Sequence, residues 1–260
     1  MIIIKTVSEI EALREGGAIL ADIMREIVSL VEPGITTDEL DALAERRMRH
    51  EGDGPSFKGY RSTKSDPLFP SSLCTCINHE VVHAPAIPGR KLHEGDILKV
   101  DMGMWFGGMC TDMAATIPVG EIDPEIRRLL SVTKESLVIG LKKAVAGNWI
   151  SDIGKAIDKN VKRAGFSTVK DLVGHGVGRY VHEEPCVPNY FDASLSPVKL
   201  IPGMTIAIEP MVNMGAEEVR LMSDGWTIVT ADGKYSSQFE ETVAITEDET
   251  IRVTPLPSNV

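Results

Sequence analysis

The chain has 260 residues, of which 43% are hydrophobic and 25% charged, and its formal net charge at pH 7 is −11. This composition is that of an ordinary globular protein, and the length allows one large domain or two small ones. The acidic balance argues against DNA or RNA as the main partner, because nucleic-acid-binding domains present clustered basic side chains.

The cysteines and the start of the chain indicate the compartment. Cys74, Cys76, Cys110 and Cys186 form no C-x-x-C pair, so reduced thiols in a cytosolic protein are the simplest account. The apolar start, Met1–Ile4, is too short for a signal peptide, and no apolar run approaches the length that spans a bilayer. We therefore expect a soluble cytoplasmic protein with no membrane contact.

Two amphipathic helices are predicted at the beginning of the chain. Ser8-x-x-Glu11 has the pattern of a capping box, and apolar residues at helical spacing follow, which predicts a helix over 8–31. Thr36-x-x-Glu39 predicts the start of a second helix, which ends at Gly52.

The middle of the chain alternates between loop, strand and helix. A stretch rich in Gly, Pro and Ser at 53–72 predicts a loop, and strands follow at about 73–78 and 81–83. Asp123-Pro124 is an N-cap with proline at the first helical position, and it predicts a helix to about residue 146. Another helix is predicted over about 151–164, and no linker divides the chain.

A hairpin from Ile97 to Pro118 carries one carboxylate on each strand. If Phe106 and Gly107 form its turn, Asp101 and Asp112 lie directly opposite each other, with side chains only ~5 Å apart. Two like charges so close in apolar strands require a shared proton, a basic side chain or a divalent cation. A solvated hairpin with two exposed aspartates is the alternative.

The two halves of the chain repeat one another. A shift of 113 residues superposes the second helix on the fourth, with Gly34 on Gly147. Gly95-x5-Asp101 then resembles Gly203-x5-Glu209, and Cys110-Thr111-Asp112 resembles Gln238-Phe239-Glu240. The repeat predicts one pseudo-twofold α+β domain over 1–260, in which duplicated helix pairs and two facing antiparallel strand pairs surround a central metal site.

Four carboxylates in apolar strands, with a histidine between glycines, form the candidate metal site. Carboxylates that converge in a low-dielectric core cannot all be ionised without cations. Five such ligands suit two divalent cations, and the oxygen-rich set favours Mn, Fe or Co, with Zn as an alternative. The five candidates are Asp101, Asp112, His175, Glu209 and Glu240.

Several motifs in fixed order carry a family resemblance. They are N-x-E-V-V-H at 78–83, D-x10-D at 101 and 112, G-H-G-V-G-x-x-x-H-E-E-P at 174–185, I-E-P at 208–210, D-G-W-T at 224–227 and Q-F-E at 238–240. Across nearly the whole chain the sequence resembles the type I methionine aminopeptidases, which have the pita-bread metallopeptidase fold. His175 and Glu209 are only 34 residues apart, an interval that carries a helical insertion in type II members.

The resemblance implies a dinuclear metallo-exopeptidase that removes the initiator methionine from nascent proteins and peptides when the second residue is small. It implies that Asp101 binds one metal, that Asp112 and Glu240 bridge both, and that His175 and Glu209 complete the other. A metal-bridging water attacks the scissile carbonyl in this family, with Glu209 as the proton shuttle.

The resemblance also assigns the residues that contact the substrate. His83 is expected at the nitrogen side of the scissile peptide, and His182 at the carbonyl oxygen. The implied partners are nascent polypeptide N-termini, and we expect a monomer. Ribosome association would suit this function, although the acidic chain shows no obvious RNA-binding face. The implied methionine pocket consists of Phe57, Tyr60, Phe69, Cys74 and Trp226.

Three departures from the family pattern affect the surroundings of the site but remove no ligand. Glu241 adds a negative charge beside Glu240, Ala84-Pro85 follows His83, and residues 61–67 resemble an insertion next to the pocket. Two alternative functions remain open: a proline-directed relative of the Xaa-Pro aminopeptidase or prolidase type, and a non-catalytic pita-bread protein that binds partners.

Overall fold

The computed structural model describes residues 1–64 and 66–260. The α-helices are α1 (Val7–Leu30), α2 (Thr37–Glu51), α3 (Pro124–Leu141) and α4 (Ile150–Arg163). The strands are β1 (Gly54–Pro55), β2 (Leu73–Ile77), β3 (Glu80–Val82), β4 (Ile97–Phe106), β5 (Met109–Pro118), β6 (Ser167–Thr168), β7 (Gly174–Gly176), β8 (Glu183–Val187), β9 (Thr205–Ile208), β10 (Met211–Asn213), β11 (Val219–Leu221), β12 (Ile228–Thr230), β13 (Ser236–Gln238), β14 (Glu240–Ile245) and β15 (Thr250–Arg252).

The predicted helices are present, with two boundaries corrected. α1 is capped by Thr6 and Glu9 rather than by Ser8 and Glu11, because Ser8 already lies inside the helix, whereas the Thr6 hydroxyl can accept from the Glu9 amide. The predicted capping box of α2, formed by Thr36 with Glu39, is confirmed. α3 ends at Leu141, about one turn before the predicted end.

Nine of the strands named above join one antiparallel sheet. Its order is β1-β4-β5-β14-β9-β7-β8, with β2 also paired to β4 and β15 to β14. The expectation that two strand pairs face each other is wrong, because β5 and β14 are hydrogen-bonded side by side. That pairing satisfies the backbone groups that each pair would otherwise leave exposed at an edge. Two three-stranded sheets, β13-β10-β6 and β11-β12-β3, complete the fold.

The hairpin of β4 and β5 turns one residue later than predicted. Gly107 and Gly108 have φ values of 57° and 77°, and glycine adopts this left-handed conformation without a side-chain clash. Asp112 therefore lies opposite Gly103, and Asp101 lies opposite Ala114. The two aspartates are diagonal neighbours on the same face of the sheet, not directly opposed.

The two faces of the sheet have different roles. Alternate residues of the central strands, such as Val100 and Met102 of β4 and Ile206 of β9, pack into the main hydrophobic core with residues of all four helices. The intervening positions, which include Asp101 and Asp112, point to the opposite face. The fold thus buries one face under helices and leaves the other for the site.

The predicted repeat is visible in the backbone that precedes α2 and α4. Gly34, at φ 101°, donates its amide to Leu92 O at 2.8 Å, and Gly147, at φ 91°, donates to Leu200 O at 2.8 Å. Each contact fixes the entry to a helix in its own half of the chain. Across the described residues, no helix combines the length and apolar character needed to cross a membrane.

Candidate active site and metal centre

One cavity of about 280 Å³ collects the predicted polar residues from seven different segments of the chain. Strands β4, β5 and β14 supply a carboxylate each, the middle of β7 supplies His175, and segments next to β3, β8 and β9 supply the rest. All five predicted ligands and both predicted histidines line this cavity: Asp101, Asp112, His175, Glu209, Glu240, His83 and His182.

The carboxylates have the electrostatics of a site built for cations. Burial raises the pKa of Asp101 to about 7, although Cys74 and Asp112 oppose the shift through hydrogen bonds. Burial and the repulsion of neighbouring carboxylates raise the pKa values of Asp112, Glu209 and Glu240 well above their usual range. Such a cluster becomes fully ionised at neutral pH only when positive charge compensates it.

Unpartnered oxygens provide a direct test of whether the residues suit a metal. Asp101 Oδ1, Asp112 Oδ1 and Glu240 Oε1 are buried, and they have no hydrogen-bond partner in residues 1–64 and 66–260. Ligand atoms of Asp112, His175 and Glu240 lie within 4.8 Å of one another. Buried oxygens without donors are costly unless a cation binds them, so the donor set fits divalent metal ions.

His175 is held in the tautomer that binds metals. Its Nδ1 lies 2.8 Å from Gly176 O, and a carbonyl only accepts, so the proton is on Nδ1. The Nε2 lone pair therefore faces the carboxylates, 3.6 Å from Glu209 Oε1 and 3.9 Å from Asp112 Oδ2. Burial lowers the pKa of His175 to about 3, which keeps the imidazole neutral.

Close backbone packing explains the glycines around His175. A Cβ atom at Gly174 would lie 2.4 Å from Ala207 O, and one at Gly176 would lie 2.4 Å from Glu184 O. Only glycine lets β7 approach β8 and β9 this closely, and the approach brings His175 to the carboxylates of the neighbouring strands.

Two amides that the sequence analysis left without a role hold Glu209. Gln238 donates from Nε2 to Glu209 Oε2 at 3.1 Å, and Asn189 donates from Nδ2 to the Glu209 backbone oxygen at 2.9 Å. Gln238 precedes Glu240 by two residues, a spacing that places both side chains on one side of an extended segment and could have suggested its role. Nothing in the local sequence singles out Asn189.

The two other histidines are neutral and lie beside the ligands. Burial lowers the pKa of His83 to about 4. The backbone of His83 has φ 62°, which is unusual for a residue other than glycine. Burial also lowers the pKa of His182. The ring of His182 lies 4.4 Å from that of His175, centroid to centroid, and its Nδ1 is 2.7 Å from the Tyr60 hydroxyl.

An apolar wall adjoins the ligands in the same cavity. Phe69 and Trp226 meet edge to face with ring centroids 5.2 Å apart. Burial raises the pKa of the Cys74 thiol well above its usual value, so Cys74 acts as a small apolar group rather than a nucleophile. All five predicted pocket residues line the cavity: Phe57, Tyr60, Phe69, Cys74 and Trp226.

A model of metallopeptidase family M24 matches residues 11–247. The chain belongs to this family. It is 46% identical over 246 residues to a methionine aminopeptidase of Clostridium perfringens, covering 94% of this chain and 95% of the relative. It is also 46% identical over 248 residues to methionine aminopeptidase 1 of Bacillus subtilis, covering 95% of this chain and 96% of the relative.

The fold agrees with that of solved M24 structures. The crystal structure of methionine aminopeptidase from Thermotoga maritima matches with a TM-score of 0.91 at 38% identity, covering 98% of this chain and 99% of that one. The predicted α+β pita-bread fold is therefore confirmed, and M24 membership implies the use of divalent metal ions.

Part of the segment predicted to be an insertion lies beside the cavity. Ser62 and Asp66, from the 61–67 segment, line it, while Ser65 lies outside the described residues. A Cβ atom at Gly225 would lie 3.3 Å from Pro67 Cγ, so this segment packs against the turn between β11 and β12. Neither Ser62 nor Asp66 was among the predicted pocket residues.

Glu241 does not add its charge to the metal site. It points to the face of β14 opposite to Glu240, where Arg252 Nε donates to Glu241 Oε2 at 2.6 Å. The Leu256 amide donates to Glu241 Oε1 at 3.0 Å. The negative charge beside the predicted bridging ligand is thus compensated by its own partners.

Proposed function

We propose that this chain is a metal-dependent aminopeptidase that removes the N-terminal methionine from nascent proteins and peptides. One observation carries the proposal: unpartnered carboxylate oxygens and the His175 lone pair converge in the cavity that also contains an apolar aromatic wall. The M24 match and the similarity to proteins named methionine aminopeptidases support the same reaction.

Two divalent cations would be held by the five converging ligands, with Asp112 and Glu240 shared between them. When bound, such cations lower the pKa of water and stabilise negative charge on a carbonyl oxygen. The oxygen-rich donor set favours Mn, Fe or Co, with Zn as the alternative. The ligands are Asp101, Asp112, His175, Glu209 and Glu240.

Glu209 is the proposed proton carrier. Gln238 fixes its Oε2, while its Oε1 faces the cavity beside His175 Nε2. Burial raises the pKa of Glu209 in the metal-free site; with cations bound its carboxylate would be ionised, able to take a proton from the attacking water and pass it to the leaving amine. The fixed orientation makes the same oxygen available for both transfers.

His182 and His83 orient the scissile peptide. We assign the Tyr60 hydroxyl as the donor to His182 Nδ1, which leaves the proton of the neutral ring on Nε2, free to donate to the carbonyl oxygen. His83 contacts the nitrogen side of the bond. The substrate α-amino group lies near Asp101, and this requirement for a free amine makes the enzyme an exopeptidase.

The substrate is selected by its first side chain. Aromatic edges in the pocket favour a thioether by ~0.3–1.5 kcal/mol over an aliphatic side chain. We infer a small second residue in the substrate, because the next position lies close to the metal ligands. The partners are nascent N-termini in the cytoplasm, on which the chain acts as a monomer.

Peptide hydrolysis after reconstitution tests the proposal. The purified chain is stripped with a chelator, loaded separately with Mn, Fe, Co or Zn, and assayed on Met-Ala-Ser and on an Xaa-Pro peptide. We expect release of methionine from Met-Ala-Ser that is lost on chelation and in Glu209→Ala. Preference for the Xaa-Pro peptide would favour a proline-directed enzyme, and inactivity with every metal would leave a binding protein.

A further inference from the structure

The loop that carries His182 has no regular secondary structure of its own. It spans Val177–His182 and connects β7 to β8. A residue that donates to a developing oxyanion must be held within a fraction of an ångström, so a loop in this position needs external support. The contacts that support it come from the start of the chain, at sequence separations of 170 and 178 positions.

Lys5 makes a buried ion pair with Glu183, the residue that follows His182. Both side chains are only 1% exposed, and Lys5 Nζ donates to Glu183 Oε2. The other oxygen, Glu183 Oε1, accepts from the Tyr180 amide at 3.0 Å, so one carboxylate joins the loop to the N-terminal segment. A pair this deeply buried stabilises the arrangement only when both charges are present.

The stem of Lys5 also contacts the beginning of the loop. A Cβ atom at Gly178 would lie 2.6 Å from Lys5 Cε, so only glycine admits the lysine here. The Gly178 backbone oxygen accepts from the Cys110 amide at 2.6 Å, and the Lys5 amide donates to Gly203 O at 2.8 Å. Lys5 is therefore anchored to the turn before β9 as well as to the loop.

A second ion pair joins helix α1 to the same loop. Arg179 donates from Nε to Glu9 Oε1 at 2.7 Å and from a terminal nitrogen to Oε2 at 3.1 Å. The guanidinium of Arg179 is the main cause that lowers the pKa of Glu9 to about 2. Two-point contacts of this kind fix orientation as well as distance.

We infer that Lys5, Glu9, Arg179 and Glu183 form an N-terminal clamp that positions His182 for the reaction. The four are positioning residues, since none of them lines the cavity. The inference rests on the proposed function, because positioning is measured through turnover. Its specific content is that breaking the clamp slows turnover of bound substrate and leaves the metal ligands and the methionine pocket intact.

The experiment compares Lys5→Met, Lys5→Arg and Glu9→Gln with the wild type. Glu11→Gln is the matched control, since Glu11 pairs with Arg14 on the exposed side of the same helix. For each metal-loaded protein we measure kcat and KM on Met-Ala-Ser, metal content, L-methionine affinity and hydrogen exchange of peptides covering residues 178–183.

We expect Lys5→Met to lower kcat by about tenfold or more, since small misplacements in an active site are costly. Glu9→Gln should lower kcat only about twofold to fivefold, because the ion pair of Glu9 with Arg179 is partly exposed to solvent and therefore weaker. Both should raise exchange at 178–183 and leave metal content and L-methionine affinity at wild-type values. Lys5→Arg should recover most of the lost kcat, and Glu11→Gln should match the wild type.

Two results would overturn the clamp. One is wild-type kcat and exchange in Lys5→Met or, where that variant fails to fold, in Glu9→Gln. The other is a parallel loss of kcat, metal content and L-methionine affinity, which indicates general destabilisation instead of positioning. Inactivity of the wild-type chain itself is a different outcome, because it contradicts the proposed function.

Discussion

The Tyr60 hydroxyl lies 2.7 Å from His182 Nδ1, and the two rings meet edge to face with centroids 5.2 Å apart. This contact joins a residue of the apolar pocket to the proposed oxyanion donor. Tyr60→Phe keeps the ring and removes the hydroxyl. We expect kcat on Met-Ala-Ser to fall about tenfold, as the loss of one hydrogen bond of ~1.4 kcal/mol would produce, with KM changed less than about twofold.

Tyr180→Phe is the control for this substitution. Tyr180 belongs to the His182 loop but is 64% exposed. The Tyr180→Phe enzyme should therefore have the kcat and KM of the wild type. Steady-state assays of both variants at saturating metal measure the difference. A Tyr60→Phe enzyme with wild-type kcat would show that the tyrosine does not orient His182.

Glu240 and Glu241 are neighbours in sequence with opposite environments. Glu240 faces the cavity with an unpartnered oxygen, whereas Glu241 bonds to Arg252 and to the Leu256 amide. Mutation of a residue that only hydrogen-bonds to a metal ligand typically lowers metal affinity ~10–100-fold. Glu240→Gln alters a proposed ligand itself, so it should lower metal affinity at least as much, with a matching loss of activity. Isothermal titration with Mn²⁺ and peptide assays measure this.

Glu241→Gln should leave metal binding unchanged and reduce stability instead. It removes charge-assisted hydrogen bonds on a side chain that is 1% exposed, which should lower the free energy of unfolding by about 2 kcal/mol. Urea unfolding gives the stability difference. Loss of metal binding in Glu241→Gln, with metal binding retained in Glu240→Gln, would contradict both predictions.

Removing the metals should make stability depend on pH. Burial raises the pKa of Asp101 to about 7 and those of Asp112, Glu209 and Glu240 well above their usual range. In the unfolded chain these groups are ionised above about pH 5, so near neutrality the folded state binds more protons. The free energy of unfolding therefore falls as the pH rises toward and through the folded pKa values of these carboxyl groups.

The histidines do not disturb this dependence near neutral pH. His83 and His175 have folded pKa values of about 4 and 3, below the unfolded value of about 6.5, so above pH 7 they are neutral in both states. Lys99, whose pKa burial lowers to about 8, acts in the opposite direction as the pH approaches that value, but the loss of part of one proton is outweighed by the four carboxyl groups. We therefore expect the urea midpoint of the chelated protein to fall between about pH 7 and pH 7.8.

Saturating Mn²⁺ should abolish or reverse that fall, because cations bind the ionised carboxylates and bind them more tightly as the pH rises. Asp101→Asn is the control, since it removes the group that titrates in this range, and the metal-free slope should become shallower. A chelated wild-type protein whose midpoint rises with pH in this window would contradict the proposed carboxylate cluster.

The convergence of the five proposed ligands in one cavity was predictable, because each lies in a short sequence motif whose chemistry is local. The hairpin register was predicted wrongly although the residues indicate it, since a two-residue turn of this kind needs positive φ at both positions, which Gly107 and Gly108 adopt and Phe106 does not favour. The error moved the pairing by two positions. Because side chains alternate with a period of two, Asp101 and Asp112 stayed on one face and the predicted site survived.

Supporting contacts were largely beyond the sequence patterns. Asn189 bonds the backbone of Glu209 from 20 positions away, and Lys5 meets Glu183 from 178 positions away. Neither separation has a periodicity or a spacing rule, because the contacts depend on how the strands are ordered in the sheet. The hydrogen-bonded pairing of β5 with β14 is one such feature of strand order. The prediction of two facing strand pairs did not include it.

Gly103, directly opposite Asp112, determines how closely the pocket approaches the ligands. A Cβ atom here would lie 2.2 Å from Ser56 Oγ and 2.9 Å from Phe57 Cε1. Gly103→Ala must therefore displace Phe57 from the pocket wall, at a cost of about 1–3 kcal/mol in stability. We expect KM on Met-Ala-Ser to rise about tenfold, a loss of ~1.4 kcal/mol in binding, with metal content unchanged.

The double variant Ser56→Ala/Gly103→Ala separates the two contacts. It removes the hydroxyl that the new methyl group would meet but keeps the contact with Phe57, so KM should stay raised while part of the lost stability returns. Kinetics and urea unfolding of the two variants and of Ser56→Ala alone provide the comparison. Full recovery of KM in the double variant would mean that Ser56, and not Phe57, transmits the change to the substrate.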